Sequence, residues 1–173
     1  MEQNSVLEKA TKFILNKIID DSLICKAIHN KAPMFGTTNV TNRAQLIDTN
    51  IMDYKFITED VDKQDIFISM DQAVVATDSE VFDDVAIAIY IWVHKDLVSA
   101  LDPDNAGNRI NRILYLTKRI RKQLDGSDGL GVGKLKFERA QGDLLNPAFP
   151  GMMLMYKLVE YSDSHADQLE RKN

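Results

Sequence analysis

His94 and Asp96 close the most apolar stretch of the chain, FDDVAIAIYIWVHKDL (residues 82–97), and a histidine beside a carboxylate at a strand end has the makings of a general base. No nucleophile is marked out for that base to activate, and polar residues at strand ends ordinarily just terminate burial. Asp83 with Asp84, and Asp102 with Asp104, offer carboxylates to a divalent cation, but both pairs fall where turns and helix caps call for acidic groups. His29, His94 and His165 share no HxxxH or HExxH spacing, so a zinc site has nothing to start from. The run GSDGLGVGK (residues 126–134) looks like a phosphate loop, yet Asp128 and Leu135 stand where a Walker A loop needs Gly and Ser or Thr. It also leads from a helix into a strand, the reverse of a phosphate cradle. The sequence therefore marks no catalytic residue, no cofactor and no metal, and a non-enzymatic role is the expectation.

Side chains suited to binding are easier to find. Three methionines, Met152, Met153 and Met155, lie on one strand-like segment, MMLMYKLVEY (residues 152–161), and Met34 stands apart. Methionine fills core gaps and also suits adaptable interfaces. Alternation points Met153 and Met155 to the opposite face from Met152. With Tyr90 and Trp92 they form the expected contact surface for another subunit. Between Asn105 and Gln123 there are six Lys or Arg residues and no Asp or Glu, in a chain of net charge −5. Arg112, Arg119 and Lys122 are expected to point outward, toward a channel lumen or an acidic partner, acting by charge rather than base reading. No interleaved aromatics offer a stacking platform for single strands. Cys25 is the sole cysteine, which excludes an internal disulfide and reads as a small core residue.

These residues need elements to hold them. Apolar spacing predicts helix from Ser5 to His29, with Ser5 as N-cap, Glu8 completing a capping box, and a break at Asp20-Asp21-Ser22 where Ser22 caps a second helix. Residues 31–65 are polar and irregular, predicting an extended loop or interaction arm with a short strand or helix near 44–57. Residues 65–76 alternate as a strand. In the 82–97 stretch, Val85, Ile87, Ile89, Ile91 and Val93 form one face and Ala86, Ala88, Tyr90 and Trp92 the other. A strand apolar on both faces must be covered on both, by a helix on one side and by a helix or another subunit on the other. A helix capped at Asp104 or Asn105 should follow, with Ile110, Ile113, Leu114, Thr117, Ile120 and Leu124 inward and Gly126 ending it. Lys134 to Ala140 predicts a strand near an edge, Asn146-Pro147 and Phe149-Pro150-Gly151 predict turns, and residues 152–161 predict the last strand.

The fold class expected is α/β (α+β): a central mixed or antiparallel sheet of about four to five strands, two main helices packed on it, and a long arm. At 173 residues this suits a single domain over 1–161 with a polar tail over 162–173. No run approaches the roughly 20 apolar residues that cross a bilayer, and MEQNSVLEKA lacks secretory-signal features, so a cytoplasmic site of synthesis is expected. For the same reason the Asn39-Val40-Thr41 glycosylation triplet carries little weight.

The order of elements, together with FDDVAIAIYIWVHKDLV, NRINRILYLTKRIRKQLDG, GLGVGKLKF and FPGMMLMYKLVEYS, resembles the tail terminator and head-to-tail joining (neck) proteins of tailed bacteriophages over roughly residues 66–161. The resemblance implies a structural virion protein of the tail or neck. It implies a homo-oligomeric ring, with a hexamer favoured, that caps the tail tube and meets a connector or stopper protein. DNA would pass through the lumen without sequence recognition, and no membrane or catalytic residue is implied. Another neck protein (a stopper or tail-completion protein), a small cytoplasmic α/β ligand-binding domain or enzyme using His94 and Asp96, and a DNA-contacting accessory protein using the basic helix are the alternatives.

Overall fold

A computed structural model describes residues 2–29, 40, 42–56, 58–75, 84–102, 108–127 and 134–159. The tail 162–173, the glycine-rich run from 128 to 133, Met34, Asn39, Asp83, Asp104 and His165 lie outside the described residues. The chain opens with α1 (Glu2–Asp20) and α2 (Ser22–His29), split where expected. The cap of α2 is Asp21 rather than Ser22: Asp21 Oδ1 accepts from the N–H of Leu23 at 2.9 Å and of Ile24 at 3.2 Å. A carboxylate at that position also meets the positive end of the helix dipole. Ser5 lies inside α1, three residues past its first residue Glu2, so it is not the N-cap.

The expected short elements near 44–57 are a 3-10 turn at Arg43–Leu46 and β1 (Ile51–Met52). Then come β2 (Ile66–Val75), β3 (Asp84–Val93), a 3-10 turn at Lys95–Leu97, β4 (Ser99–Leu101), β5 (Arg109–Asn111), α3 (Arg112–Leu124), β6 (Lys134–Asn146) and β7 (Phe149–Val159). The main sheet runs β1-β2-β3-β7-β6, with β3 at its centre and β6 at an edge. β1 is parallel to β2 and the other pairs are antiparallel, so the sheet is mixed and the fold α+β. β4 and β5 form a separate two-stranded ribbon that leads into α3.

Two predictions about the second half of the chain are corrected. The helix starts at Arg112, with Asn111 Oδ1 accepting from the Leu114 N–H at 3.2 Å, because Ile110 is held in the ribbon opposite Ala100. Phe149-Pro150-Gly151 is the start of β7 rather than a turn. Gly151 is required there by packing: a Cβ would lie 2.4 Å from Ile91 O and 2.5 Å from Trp92 Cδ1.

Alternation along β2, β3 and β7 sorts the sheet into two faces. On one, Ile66, Ile68, Met70, Ile87, Ile89, Ile91, Val93, Leu154, Tyr156 and Leu158 meet the buried stripes of the helices. Ile14 and Ile18 come from α1, Ile24 and Ile28 from α2, and Ile113, Leu116, Ile120 and Leu124 from α3. Each such side chain contributes roughly 1.5–3 kcal/mol by leaving water. Cys25 belongs to this core, and burial pushes its thiol up to about 11. On the other face Phe67, Ala88, Tyr90, Trp92, Met52 and Phe149 cluster. Their cover comes from within the chain: the Phe56 ring lies tilted against Phe67 with centroids 4.8 Å apart, Lys55 lies over the Tyr90 ring and 3.8 Å from Asp71, and Ala148 and Leu145 close the β6–β7 end. Part of the predicted arm thus serves as a strap over its own sheet. No helix of the described residues is long and apolar enough to cross a membrane.

Candidate functional site

The apolar spacing of α3 turns Ile113, Leu116, Ile120 and Leu124 onto the sheet. The positions between them must therefore face away. Leu114, Lys118 and Lys122, spaced by four, form the outer line of the helix, and Leu114 is 56% exposed. This corrects the inward position expected for Leu114. Together with Ile110, Tyr115, Arg119, Asn111 and Asp102 these residues border an open groove of about 510 Å³ between α3 and the β4–β5 ribbon. Its lining mixes apolar Ile110, Leu114 and Tyr115 with the cations of Lys118, Arg119 and Lys122 and one carboxylate, Asp102.

The three basic residues singled out from the sequence have different fates. Arg112 is fully buried, and its Nη1 donates to the Ala27 carbonyl at the end of α2 at 2.9 Å. Burial pushes its guanidinium down to about 10, and the outward role expected for it is corrected: it ties α3 to the negative end of α2. Arg119 borders the groove, but its Nη2 sits 2.6 Å from Asp21 Oδ2, which also accepts from Gln123 Nε2 at 2.7 Å. Burial raises the Asp21 carboxyl, but the Ile24 N–H, Arg119 and Gln123 together outweigh it and hold the group below its ordinary range. Arg121, in turn, pairs with Asp125 at 3.1 Å and covers the Phe137 ring at 3.7 Å. Lys122 and Lys118 are left exposed on the rim, a like-charged pair four residues apart with no acidic residue in α3 to relieve it. Fixed positive charge beside exposed leucine can hold an acidic partner that brings an apolar side chain.

The aromatic and methionine set divides as well. Trp92 is 1% exposed and Tyr90 8%, stacked on each other at 5.0 Å, so both are buried by this chain's own residues rather than offered to a neighbour. Trp92 Nε1 has no hydrogen-bond partner among the described residues. Met153 and Met155 stay half-buried beside them.

His94 does not make the site that its neighbour Asp96 suggested. It is buried, its Nδ1 accepts from the Asp96 N–H at 3.3 Å, and its Nε2 lies 3.2 Å from the Val61 carbonyl. A carbonyl only accepts, so Nε2 donates to it, and both nitrogens are engaged within the fold. What His94 does is fix a loop. Val61 sits at the centre of Thr58-Glu59-Asp60-Val61-Asp62-Lys63, whose other support is Asn146 Nδ2 donating to the Thr58 carbonyl at 3.3 Å. Val61 itself is 45% exposed. Sequence reasoning missed both this loop and the Asp21 link; the signal for the latter was the acidic Asp20-Asp21 step between two apolar helical stripes.

Among the described residues no three His, Cys, Asp or Glu side chains gather as a metal site. No curated protein matches the chain. A family model described as YomW matches residues 21–158, from the Asp21 link through the end of the central sheet, and the chain belongs to the YomW family.

Proposed function

We propose that this protein is a structural virion subunit of a tailed-phage neck, a tail terminator whose copies close into a ring that caps the tail tube and joins it to the head connector. The observation that carries the reading is the placement of uncovered apolar side chains on both layers of the fold. Leu114 stands out from the helix layer, and Val61 and Tyr54 from the strap on the opposite face, with Leu144 near the end of the edge strand. A subunit with neighbours on two sides would bury such side chains in heterologous contacts of the kind that close as a ring. The two-layer α+β architecture is of the kind that the resemblance to terminator and joining proteins implies.

DNA in the lumen of such a ring meets fixed charge without base recognition. Arg112 and Arg119 are held by Ala27 and Asp21, and Arg121 is paired with Asp125 at the surface, so Lys118 and Lys122 are the cations of α3 with most to bring to such a contact. The test is native mass spectrometry and negative-stain microscopy of the purified chain, alone and with tail-tube and connector proteins. Rings, six copies favoured, are the expected result. A chain that stays monomeric at every concentration and ignores those proteins overturns the reading.

A further inference from the structure

The groove and the exposed loop complement each other. The groove is lined by Leu114 and Ile110, by Lys118, Arg119 and Lys122, and by one carboxylate, Asp102, so cations outnumber acids in it. The loop over residues 58–63 carries an exposed valine, Val61, flanked by Glu59, Asp60 and Asp62, all exposed. The groove belongs to the helix layer. The loop continues from the strap and is anchored through His94 and Asn146 to the aromatic cluster under the opposite face of the sheet. One molecule therefore presents a basic apolar recess on one layer and an acidic apolar knob on the other. We infer that the groove on α3 receives the Glu59–Asp62 loop of a second copy of this chain, with Val61 seated against Leu114 and the loop carboxylates facing Lys118 and Lys122. The inference rests on the ring reading above and names the contact that would close it.

Several features favour a second copy as the occupant. The contact is heterologous, each copy using its groove for one neighbour and its loop for the other, which is the geometry that generates rings. The loop is already ordered: His94 holds the Val61 carbonyl, Asn146 holds the Thr58 carbonyl, and Asp60 Oδ1 accepts from the N–H of Asp62 at 3.1 Å and of Lys63 at 3.2 Å. Little conformational freedom is then lost on docking. Lys63 is turned away, held 3.5 Å from Asp65 and over the Phe67 ring, so the knob's cation does not meet the groove's. A like-charged pair on the rim and three carboxylates on the knob each relieve the other.

Charge reversal tests the contact without touching the core. One variant carries Lys118→Glu and Lys122→Glu; the other carries Glu59→Lys and Asp62→Lys and keeps Asp60, which the loop needs for its turn. Each is expected to fold by circular dichroism and to lose the wild-type oligomer in native mass spectrometry at low salt. Mixed one to one, they are expected to recover oligomers of alternating composition, because the reversed groove of one accepts the reversed loop of the other. Leu114→Ser in the wild-type background should weaken assembly by at least about tenfold, the equivalent of about 1.4 kcal/mol. Wild-type oligomers that survive either reversal, or a mixture that fails to reassemble, overturn this contact and leave the ring reading standing. A wild type that never assembles overturns both.

Discussion

Replacing the buried Asp21 by alanine should cost this fold about 3 kcal/mol. The carboxylate does two separable things. Oδ1 caps α2 through the Leu23 and Ile24 N–H groups, and loss of such a cap costs about 1 kcal/mol. Oδ2 holds Arg119 at 2.6 Å and Gln123 at 2.7 Å, joining the α1–α2 corner to α3. Removing one partner of a buried pair costs about 3–5 kcal/mol. The Asp21 side chain is 2% exposed, but that of Arg119 is 23% exposed and can recover part of its hydration, which brings this term to about 2 kcal/mol. Asp21→Asn keeps an acceptor for the cap and loses the pair, so it should show about 2 of the 3 kcal/mol.

Urea titration gives both values, with a drop in Tm of roughly 6–12 °C for the alanine variant in a chain of this size. The pH dependence carries the same information. Because the folded Asp21 carboxyl lies below its ordinary 3.8, the unfolded chain takes up the proton first. The stabilisation is therefore complete above the ordinary carboxylate range and is lost as pH falls through the lowered folded value. The difference in stability between wild type and Asp21→Asn should be constant from neutrality down to about pH 5 and shrink below about pH 4. An alanine variant within about 0.5 kcal/mol of wild type, or a cycle with Arg119→Leu showing no coupling to Asp21, refutes the assignment of this residue as the link between the helices.

Three further predictions follow from packing and burial. Gly151→Ala should destabilise by about 1–3 kcal/mol, because the added methyl meets the Ile91 carbonyl and the Trp92 ring, and it should shift the emission of Trp92, the sole tryptophan; an unchanged spectrum and midpoint would count against the close approach. Arg112→Ala should cost about 3 kcal/mol through an empty site and an unsatisfied Ala27 carbonyl, whereas Lys122→Ala should stay within about 0.5 kcal/mol, and equal effects in thermal melts would refute the contrast between them. With its thiol pushed up to about 11 and fully buried, Cys25 should react with a disulfide reagent at pH 8 only at the rate of global unfolding, so burst labelling of folded protein would show that the α2 core is open.

The architecture was readable in the chain because its strongest signal is also its physical centre. β3 is apolar on both faces, and a strand of that kind has only the middle of a sheet to occupy, which is where it lies. The break between α1 and α2, the edge position of β6 and the Gly126 terminus of α3, with φ at 71°, were equally local matters of spacing and backbone freedom. The errors arose where a tertiary partner overrode local pattern. Ile110 fits a helical stripe, but the ribbon with Ala100 claims it first, and shifting the helix start to Arg112 leaves Leu114 outside and Leu116 inside. Phe149-Pro150-Gly151 has turn composition, yet the glycine is there to clear Trp92.

The same reasoning explains why the basic helix misled as a unit. Six cations without an acid in sequence look like one charged face, but charge in a fold is apportioned by reach. Arg112 and Arg119 have long, forked side chains placed where α3 passes the α2 terminus and the Asp21 corner, and the carbonyl of Ala27 and the carboxylate of Asp21 take them. Lys118 and Lys122 sit one helical line over, with no such acceptor in α3, and keep their charge for the outside. The charge left on the outside is thus what the chain's own acceptors decline. His94 follows the complementary logic: the residue most suggestive of chemistry is consumed by the Asp96 N–H and the Val61 carbonyl, and its service is to hold an exposed acidic loop in shape. A side chain that spends both its nitrogens on ordering a surface loop has a purpose if that loop must meet something, and the basic groove on the opposite layer is the surface here whose charge and apolar lining match it.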